Sequence, residues 1–157
     1  VKAEKPSVTF GISPQGYFGN LRSDTQVFAD IDRWLTQDGF VDYMMPQLYW
    51  GFEAKTSDGS PASFAFTANL KSWTELVKKG HAKLYLGLAM YRAGTNVSDH
   101  NTVSEWLSHD DIISRQVLVG RAGGAVSGYC FYSYESFLET AAQKEKNNLL
   151  SLLKNSN

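Results

Sequence analysis

Four short apolar segments recur along the 157-residue chain, and a pattern typical of an amphipathic helix follows each of them. The segments are SVTFGIS (7–13), VDYMMPQLYW (41–50), KLYLGLAMY (83–91) and AVSGYCFYSY (125–134). Their hydrophobicity is continuous rather than alternating, which is typical of parallel strands that are covered on both faces. Four consecutive strand–helix units predict an α/β protein with a parallel sheet and right-handed crossovers.

The helical patterns lie between these strands and after the last one. We predict helices over residues 23–39, 67–80, 109–121 and 136–154. The first is expected to begin at Ser23 or Asp24 as N-cap and to end at Gly39. Its buried face is predicted to consist of Val27, Phe28, Ile31, Trp34 and Leu35.

The connections between these elements differ in length at the two ends of the predicted sheet. Every helix-to-strand connection is short, whereas three of the strand-to-helix connections are long, at residues 14–23, 51–63 and 92–108. In α/β folds the loops that leave the carboxyl ends of the strands surround the ligand site. The functional face is therefore predicted at the carboxyl ends of the strands.

Two architectures are built from such units, namely an open, doubly wound α/β sheet and a (β/α)₈ barrel. A barrel needs eight units and typically about 250 residues, so four units in one domain over residues 1–157 correspond to half a barrel. The last strand has no Pro, Lys or inward charge of the kind that protects an exposed edge. This favours a half-barrel closed by an amino-terminal half or by a second copy of the chain, and an open four-stranded domain is the alternative.

The composition limits the kinds of partner. Fifteen Lys and Arg residues balance sixteen Asp and Glu residues, and the net charge is −1 without a long run of either sign. Nucleic acid and anionic lipid are therefore not expected as partners, and an aromatic content of 13% favours an uncharged ligand. No apolar stretch approaches the ~18 to 20 residues that a membrane span requires, so no transmembrane segment is predicted.

Motifs for phosphate, metal and thiol chemistry are absent or poorly placed. The glycine-rich stretch GRAGGAVSG (120–128) ends a predicted helix and enters a strand, whereas a phosphate-binding loop follows a strand and opens a helix. His81, His100 and His109 lack metal-ligand spacing, and Cys130 lies in an apolar run that predicts a buried thiol. We therefore expect no cofactor and no metal.

Aromatic and hydrogen-bonding side chains gather at the carboxyl ends of all four predicted strands. Sugar rings have apolar C–H faces and a fringe of hydroxyl groups, so they suit aromatic surfaces flanked by amide, guanidinium and phenol groups. The alternative is that these aromatic side chains only cover the core. The candidate substrate-binding residues are Ser13, Tyr17, Asn20, Gln47, Tyr49, Trp50, Tyr91, Arg92, Ser133 and Tyr134.

Acidic residues are scarce at these strand ends. Glycoside hydrolysis usually requires two carboxyl groups, one on each side of the scissile bond. Glu135 lies directly at the carboxyl end of the fourth strand and is the candidate catalytic residue. The alternative role for Glu135 is structural, because it opens a predicted helix, where the helix dipole favours an acidic side chain. Asp42 lies at the amino end of the second strand, where a stabilising role is expected.

Four motifs together resemble a known family. In order and spacing, FGISPQGYFGN, VDYMMPQLYWGF, LYLGLAMYRAG and SGYCFYSYESF resemble the carboxyl-terminal half of the glycosyl-hydrolase-like family 10 barrels of the bacterial envelope. The resemblance covers roughly residues 7–137. It implies half of a (β/α)₈ barrel that acts on a polysaccharide, with cell-wall glycan as the leading substrate class. It also implies an extracytoplasmic parent protein, either secreted, periplasmic or lipid-anchored.

The resemblance also implies roles for individual residues. The positions that would contact substrate or shape the site are Ser13, Pro14, Asn20, Gln47, Tyr49, Trp50, Tyr91, Arg92 and Ser133. The acidic signature of the family lies in the amino-terminal half of the barrel, which this chain lacks. We therefore predict that the chain binds sugar weakly and does not hydrolyse it alone. A non-catalytic carbohydrate-binding or scaffold module is the alternative function.

Overall fold

The computed structural model describes residues 2–96 and 105–155. Within them, four parallel strands form one sheet, and the strands neighbour one another in chain order. The strands are β1 (Gly11–Ile12), β2 (Tyr43–Met44), β3 (Lys83–Leu88) and β4 (Val126–Phe131). A doubly wound sheet reverses its strand order at a switch point, whereas a barrel does not. The observed order is that of a barrel segment.

The helices follow the strands as a succession of βα units requires. They are α1 (Phe18–Leu21), α2 (Ile31–Thr36), α3 (Phe66–Val77), α4 (Glu105–Ser108), α5 (Ile112–Ala122) and α6 (Gln143–Lys154). Short 3₁₀ turns follow the last two strands, at Met90–Arg92, Glu135–Leu138 and Thr140–Ala142. Within the described ranges, no helix is both long enough and apolar enough to cross a bilayer.

The core lies on one face of the sheet. Leu84, Leu86 and Leu88 alternate along β3, and all three are fully buried in a single cluster that includes residues of α2, α3, α5 and α6. Side chains alternate between the two faces of a strand, so the intervening Tyr85 lies on the other face, where it is only half-buried. The helices therefore cover one face, as in half of a (β/α)₈ barrel, and the open, doubly wound alternative is not the fold.

Cys130 corrects the prediction of a buried thiol, because it is exposed. Its neighbours on β4, Tyr129 and Phe131, pack against the core. Cys130 consequently lies on the face of the sheet that the helices leave uncovered. The apolar run predicted burial because it was taken to be covered on both faces, and within the described chain only one face is covered.

The helix predicted over residues 23–39 is wrong in its first half, since α2 begins only at Ile31 and ends at Thr36. Phe28 has a φ of 54° and is 79% exposed, so it lies neither in a helix nor in the core. Its N–H donates to the carbonyl of Ser23 over 2.9 Å, which closes a turn instead of a helix. The observed N-cap is Asp30, whose carboxylate accepts from the Arg33 N–H over 3.2 Å.

The helix predicted over residues 136–154 is divided. Two 3₁₀ turns precede α6, and the extended backbone of Glu139, with a ψ of 136°, separates them. The Gln143 side chain donates to the carbonyls of Phe137 and Glu139 over 3.0 Å each, which satisfies backbone acceptors at this break. The predicted helices at 67–80 and 109–121 match α3 and α5 closely.

The amino ends of the strands are joined through Asp42. Its carboxylate accepts from the Phe10 N–H over 2.6 Å and lies 2.9 Å from the Lys2 ammonium group. The Phe10 hydrogen bond, with Lys2 as the second cause, lowers the pKa of Asp42 below its usual value. This geometry agrees with the stabilising role expected for Asp42.

Candidate functional site

A cleft with a volume of about 480 Å³ lies at the carboxyl ends of the strands, on the face that the helices leave uncovered. We call it the strand-end cleft, and it is lined by Ser13, Met45, Gln47, Tyr49, Gly87, Cys130 and Tyr132. Met45, Gln47 and Tyr49 contribute because they alternate with Pro46 and Leu48, both of which are buried. The alternation of side chains along this strand thus places Gln47 and Tyr49, both predicted as substrate-binding residues, in one cavity.

Three tyrosines from three successive strand ends contact one another, and we call them the tyrosine cluster. Tyr49 and Tyr132 line the strand-end cleft, and Tyr91 packs against both of them. The Tyr49 ring stacks on Tyr132 with centroids 6.3 Å apart, and Tyr91 meets both rings edge to face at 5.8 and 6.1 Å. The backbone supports this geometry, because the Tyr91 N–H donates to the Tyr132 carbonyl over 3.1 Å. The peptide bond between Tyr132 and Ser133 is cis. The cluster presents aromatic faces beside phenolic hydroxyl groups.

The Tyr49 hydroxyl remains protonated at neutral pH. Burial raises the pKa of Tyr49 above its usual value of 10.0, and the neighbouring Tyr91 adds to the effect. A neutral phenol both donates and accepts hydrogen bonds. Tyr49 therefore offers the chemistry that a sugar hydroxyl requires.

Gln47 is held at the base of the cleft by strands on either side. It pairs with Gln15 on one side and with Gly87 on the other. Its side-chain amide donates to the Ser13 carbonyl over 3.3 Å, and its backbone N–H donates to the Pro14 carbonyl over 2.9 Å. The predicted residues Ser13, Pro14 and Gln47 are thus brought together.

Arg92 adds a positive charge beside the tyrosine cluster. Its Nε donates to the Tyr91 hydroxyl over 3.1 Å, and its guanidinium group lies 5.6 Å from the centroid of the Tyr91 ring. Tyr91 is 42% exposed, so the pair remains accessible to a ligand. Arg92 therefore holds the Tyr91 hydroxyl and places its guanidinium group at the edge of the tyrosine cluster.

Tyr17 and Trp50 belong to a second group, the outer aromatic cluster, which also contains Phe64. The Tyr17 and Phe64 rings meet edge to face at 5.9 Å, and Trp50 lies 5.6 Å from Phe64 at an angle of 45°. The Tyr17 hydroxyl is within 2.9 Å of the Ser63 Oγ. The structure thus joins the loops after β1 and β2 through Phe64, a residue that the sequence analysis missed.

Asn20 supports the loop after β1. Its amide Nδ2 donates to the Gln15 side-chain oxygen over 3.1 Å. On the buried side, the indole N–H of Trp73 donates to the Gly16 carbonyl over 2.7 Å. These bonds hold the segment that carries Tyr17.

Glu135 and its neighbours are not among the residues that line the strand-end cleft. The Ser133 hydroxyl donates to the Glu135 carboxylate over 2.7 Å, and this bond is the main cause that lowers the pKa of Glu135. Tyr134 is 76% exposed. A carboxyl group with a lowered pKa is ionised at neutral pH, which suits a nucleophile or a base rather than a proton donor.

Tyr132, Cys130, Met45 and Gly87 also line the cleft but were not predicted as site residues. Tyr132 has the same parity as Cys130 on β4, so alternation along that strand was the signal that could have found it. Gly87 offered no such signal, because it has no side chain whose chemistry could suggest a ligand. It contributes to the cleft by leaving space open. Among the described residues, no three His, Cys, Asp or Glu side chains gather as metal ligands, and His100 lies outside those residues.

A parallel sheet in barrel order, covered by helices on one face and open at an aromatic cleft, defines half of a (β/α)₈-type barrel. The family model for glycosyl hydrolase-like 10 proteins matches residues 1–106. The chain belongs to this family.

Curated relatives agree with this assignment. The chain is 36% identical over 106 residues to glycosyl hydrolase DigH of Escherichia coli K12, covering 60% of this chain and 22% of that protein. The corresponding protein of Shigella flexneri gives the same figures. Glycosyl hydrolase YngK of Bacillus subtilis is 30% identical over 148 residues, covering 85% of this chain and 26% of that protein.

The extent of these matches bears on the site. The matched part of the chain covers 22% of glycosyl hydrolase DigH and 26% of glycosyl hydrolase YngK. The chain thus spans about a quarter of the length of these curated relatives. The family-model match ends at residue 106, before β4 begins. Tyr49 and Tyr91 therefore lie within the family match, whereas Tyr132 and Glu135 lie beyond it.

Proposed function

We propose that this chain forms the sugar-binding wall of a glycoside hydrolase cleft, and that the substrate is a polysaccharide of the bacterial cell wall. The observation that carries the proposal is the tyrosine cluster beside a cleft of about 480 Å³ at the carboxyl ends of a barrel-type sheet. Membership of a glycosyl hydrolase-like family supports it. The volume is within the ~300 to 1,000 Å³ that is typical of ligand pockets.

The chemistry of the cleft suits a sugar ring. The C–H face of the ring would pack on Tyr132 or Tyr49, as apolar surfaces pack on aromatic rings. The hydroxyl fringe would bond to the amide of Gln47 and to the phenol of Tyr49. Arg92, with its guanidinium group at the edge of the tyrosine cluster, would bind an outer hydroxyl or an acidic substituent of the glycan.

Catalysis requires carboxyl groups that the cleft does not supply. None of the residues that line it among the described part of the chain is acidic. We therefore propose that the catalytic pair depends on residues outside this chain, and that Glu135 is the candidate that this chain can offer. Its hydrogen bond from Ser133 keeps it ionised, so its role would be that of a nucleophile or base.

One face of the sheet is uncovered, and β1 and β4 each have an outer edge without a neighbouring strand in the described chain. These surfaces favour association with a partner that supplies further strands. Unpaired strand edges invite pairing with further strands. We propose that an amino-terminal half-barrel, or a second copy of this chain, completes the barrel. An extracytoplasmic location follows from the proposed substrate, because cell-wall glycan lies outside the cytoplasm.

Binding of soluble cell-wall oligosaccharides, measured by isothermal titration calorimetry, tests the proposal. Tyr49→Ala should weaken binding about tenfold or more, because aromatic stacking is lost. Tyr85→Ala is the matched control, since Tyr85 meets Tyr43 edge to face at 5.5 Å on the same sheet face but away from the strand ends. The proposal would be refuted if Tyr49→Ala and Tyr85→Ala bound the oligosaccharide with equal affinity, or if the unsubstituted chain did not bind it.

A second candidate function is that of a carbohydrate-binding module without catalytic activity. The absence of acidic residues from the described cleft lining favours it. The full-length gene product distinguishes the two functions when it is incubated with cell-wall glycan and released sugars are measured. Release of oligosaccharides supports the hydrolase, whereas tight binding without release supports the binding module.

A further inference from the structure

Two buried polar side chains fasten the segment that begins at Trp50. Glu105, which is 2% exposed, accepts hydrogen bonds from the N–H groups of Phe52 and Glu53 over 2.6 and 3.0 Å. Gln116, which is fully buried, donates from its Nε2 to the Trp50 carbonyl over 2.9 Å. We call these two residues the loop anchor. They lie on α4 and α5, whereas the segment that they hold follows β2.

Gly51 shows how closely the anchor fits. A Cβ on Gly51 would overlap the Glu105 carboxylate, so the carboxylate lies directly against the backbone of the segment. The Gly51 carbonyl in turn accepts from the Phe66 N–H over 2.9 Å at the start of α3. The backbone beside Trp50 is therefore fixed from α3, α4 and α5.

Polar side chains are an energetically unfavourable way to attach a loop if attachment is their only role. Burying a carboxylate is unfavourable unless hydrogen bonds compensate for the lost water. Gln116 is also incompletely satisfied, because its Oε1 is buried and has no hydrogen-bond partner among the residues that the structure describes. Apolar contacts would fasten a loop without this cost, so the polar groups indicate that the exact position of the backbone matters.

The side chain that this backbone carries belongs to the outer aromatic cluster. The Trp50 indole packs on a small cluster of buried alanines, Ala54, Ala62 and Ala65, and against Phe64. Small methyl groups leave the orientation of a large ring weakly determined, since they provide little shape to hold it. The orientation of Trp50 therefore depends on how its backbone is fixed.

We propose that Glu105 and Gln116 are positioning residues that hold the Trp50 indole in the orientation needed for a second sugar subsite, formed by the outer aromatic cluster. The inference rests on the proposed sugar-binding function. Neither residue contacts the sugar, because both are buried. They act through Trp50.

A double-mutant cycle tests the inference in the full-length gene product, with binding of cell-wall oligosaccharides measured by calorimetry. In Glu105→Gln one acceptor oxygen becomes an NH₂ group facing a backbone N–H, so the anchor is broken. Glu105→Gln and Trp50→Ala should each weaken binding about tenfold. If Glu105 acts through Trp50, the double variant binds no more weakly than Trp50→Ala alone.

Two further variants guard against a general loss of folding. Glu145→Gln is the matched control, because Glu145 is also a buried carboxylate that accepts a backbone N–H, from Ser114 over 2.9 Å, but holds α6 to α5. It should leave oligosaccharide affinity unchanged. Gln116→Met removes the bond to Trp50 while keeping the side-chain volume, and it should reproduce the loss of affinity even if Glu105→Gln folds poorly.

The outcomes separate the inference from the proposed function. Weakened binding by Trp50→Ala together with normal binding by folded Glu105→Gln and Gln116→Met would overturn the positioning role alone. A Glu105→Gln effect that persists in full in the Trp50→Ala background would also overturn it. Normal binding by Trp50→Ala would instead refute the outer subsite, and a parent protein that binds no glycan would refute the proposed function itself.

Discussion

The ring of Tyr49 stacks on the ring of Tyr132 with 6.3 Å between centroids and 26° between planes, although the two residues follow strands that are not neighbours. β3 lies between β2 and β4, and Gly87 is its residue within the cleft. Because Gly87 lines the cleft, a side chain at this position would occupy cleft space, and its Cβ would also lie 3.2 Å from the Pro46 carbonyl oxygen of the neighbouring segment. The cleft therefore depends on tyrosines at its sides and a glycine at its centre.

Replacing Tyr132 should separate binding from stability. Tyr132 is 60% exposed but contacts two rings, so Tyr132→Ala should lower the free energy of unfolding by only about 1 kcal/mol. It should nevertheless weaken oligosaccharide binding about tenfold, because one stacking face is lost. Tyr132→Phe should retain most of the affinity in the same calorimetric titration. Loss of affinity in Tyr132→Phe equal to that in Tyr132→Ala would contradict a stacking role.

Much of this site was predictable because it depends on local alternation. Gln47 and Tyr49 share parity on one strand, and the structure places both in the strand-end cleft. Phe64 was not predictable in this way, since its contacts with Tyr17 and Trp50 depend on how two separate loops fold together. Glu105 is a similar case, because it acts on a segment that lies more than fifty residues earlier in the chain.

The wrong predictions have two physical causes. Phe28 fits a helical pattern, but local turn hydrogen bonds and a positive φ remove it from the helix. Cys130 fits a buried strand, but its burial depends on what covers the second face of the sheet. The error at Phe28 arises because turn hydrogen bonds compete with helical ones. The error at Cys130 arises because the sequence of one strand does not show what covers its second face.

The Cys130 thiol provides a chemical test of the uncovered face. Because Cys130 is exposed and lines the strand-end cleft, iodoacetamide should modify it in this chain. Saturating cell-wall oligosaccharide should slow the modification, which is measured by mass spectrometry over time. A rate that the oligosaccharide leaves unchanged would place the sugar elsewhere.

Glu145 should make stability depend on pH. Burial raises its pKa above 4.5 in the folded state, against the opposing hydrogen bonds from Ser114. The folded state therefore holds the proton more tightly than the unfolded state, and the contribution of Glu145 to stability falls as pH rises from about 4.5 through the folded pKa. Urea unfolding from pH 4 to pH 8 measures this decline.

Glu145→Gln should remove that decline, and Glu139→Gln is the control, because Glu139 is exposed. An identical pH dependence of the free energy of unfolding in the unsubstituted chain and in Glu145→Gln would contradict a raised pKa of Glu145 in the folded state.

Asp42 should show the opposite dependence. Its pKa is lowered below 3.8 by the Phe10 N–H and by Lys2, so its contribution to stability is present above pH 3.8 and is lost as pH falls through the folded pKa. Asp42→Ala should therefore unfold at lower urea than the parent chain at pH 7, and the difference should shrink in acid. Its affinity for oligosaccharide should be unchanged, and a reduced affinity would assign Asp42 to the site.

We propose that sugar binds at the carboxyl ends of the strands. A second cavity, of about 510 Å³, lies near the amino ends, where Asp38, His81 and Lys83 line it. Backbone amide shifts, followed by NMR while cell-wall oligosaccharide is added, distinguish the two cavities. Binding in the strand-end cleft should cause the largest changes at Gln47, Tyr49, Gly87 and Tyr132. Changes confined to Asp38, His81 and Lys83, or no changes at saturating sugar, would contradict it.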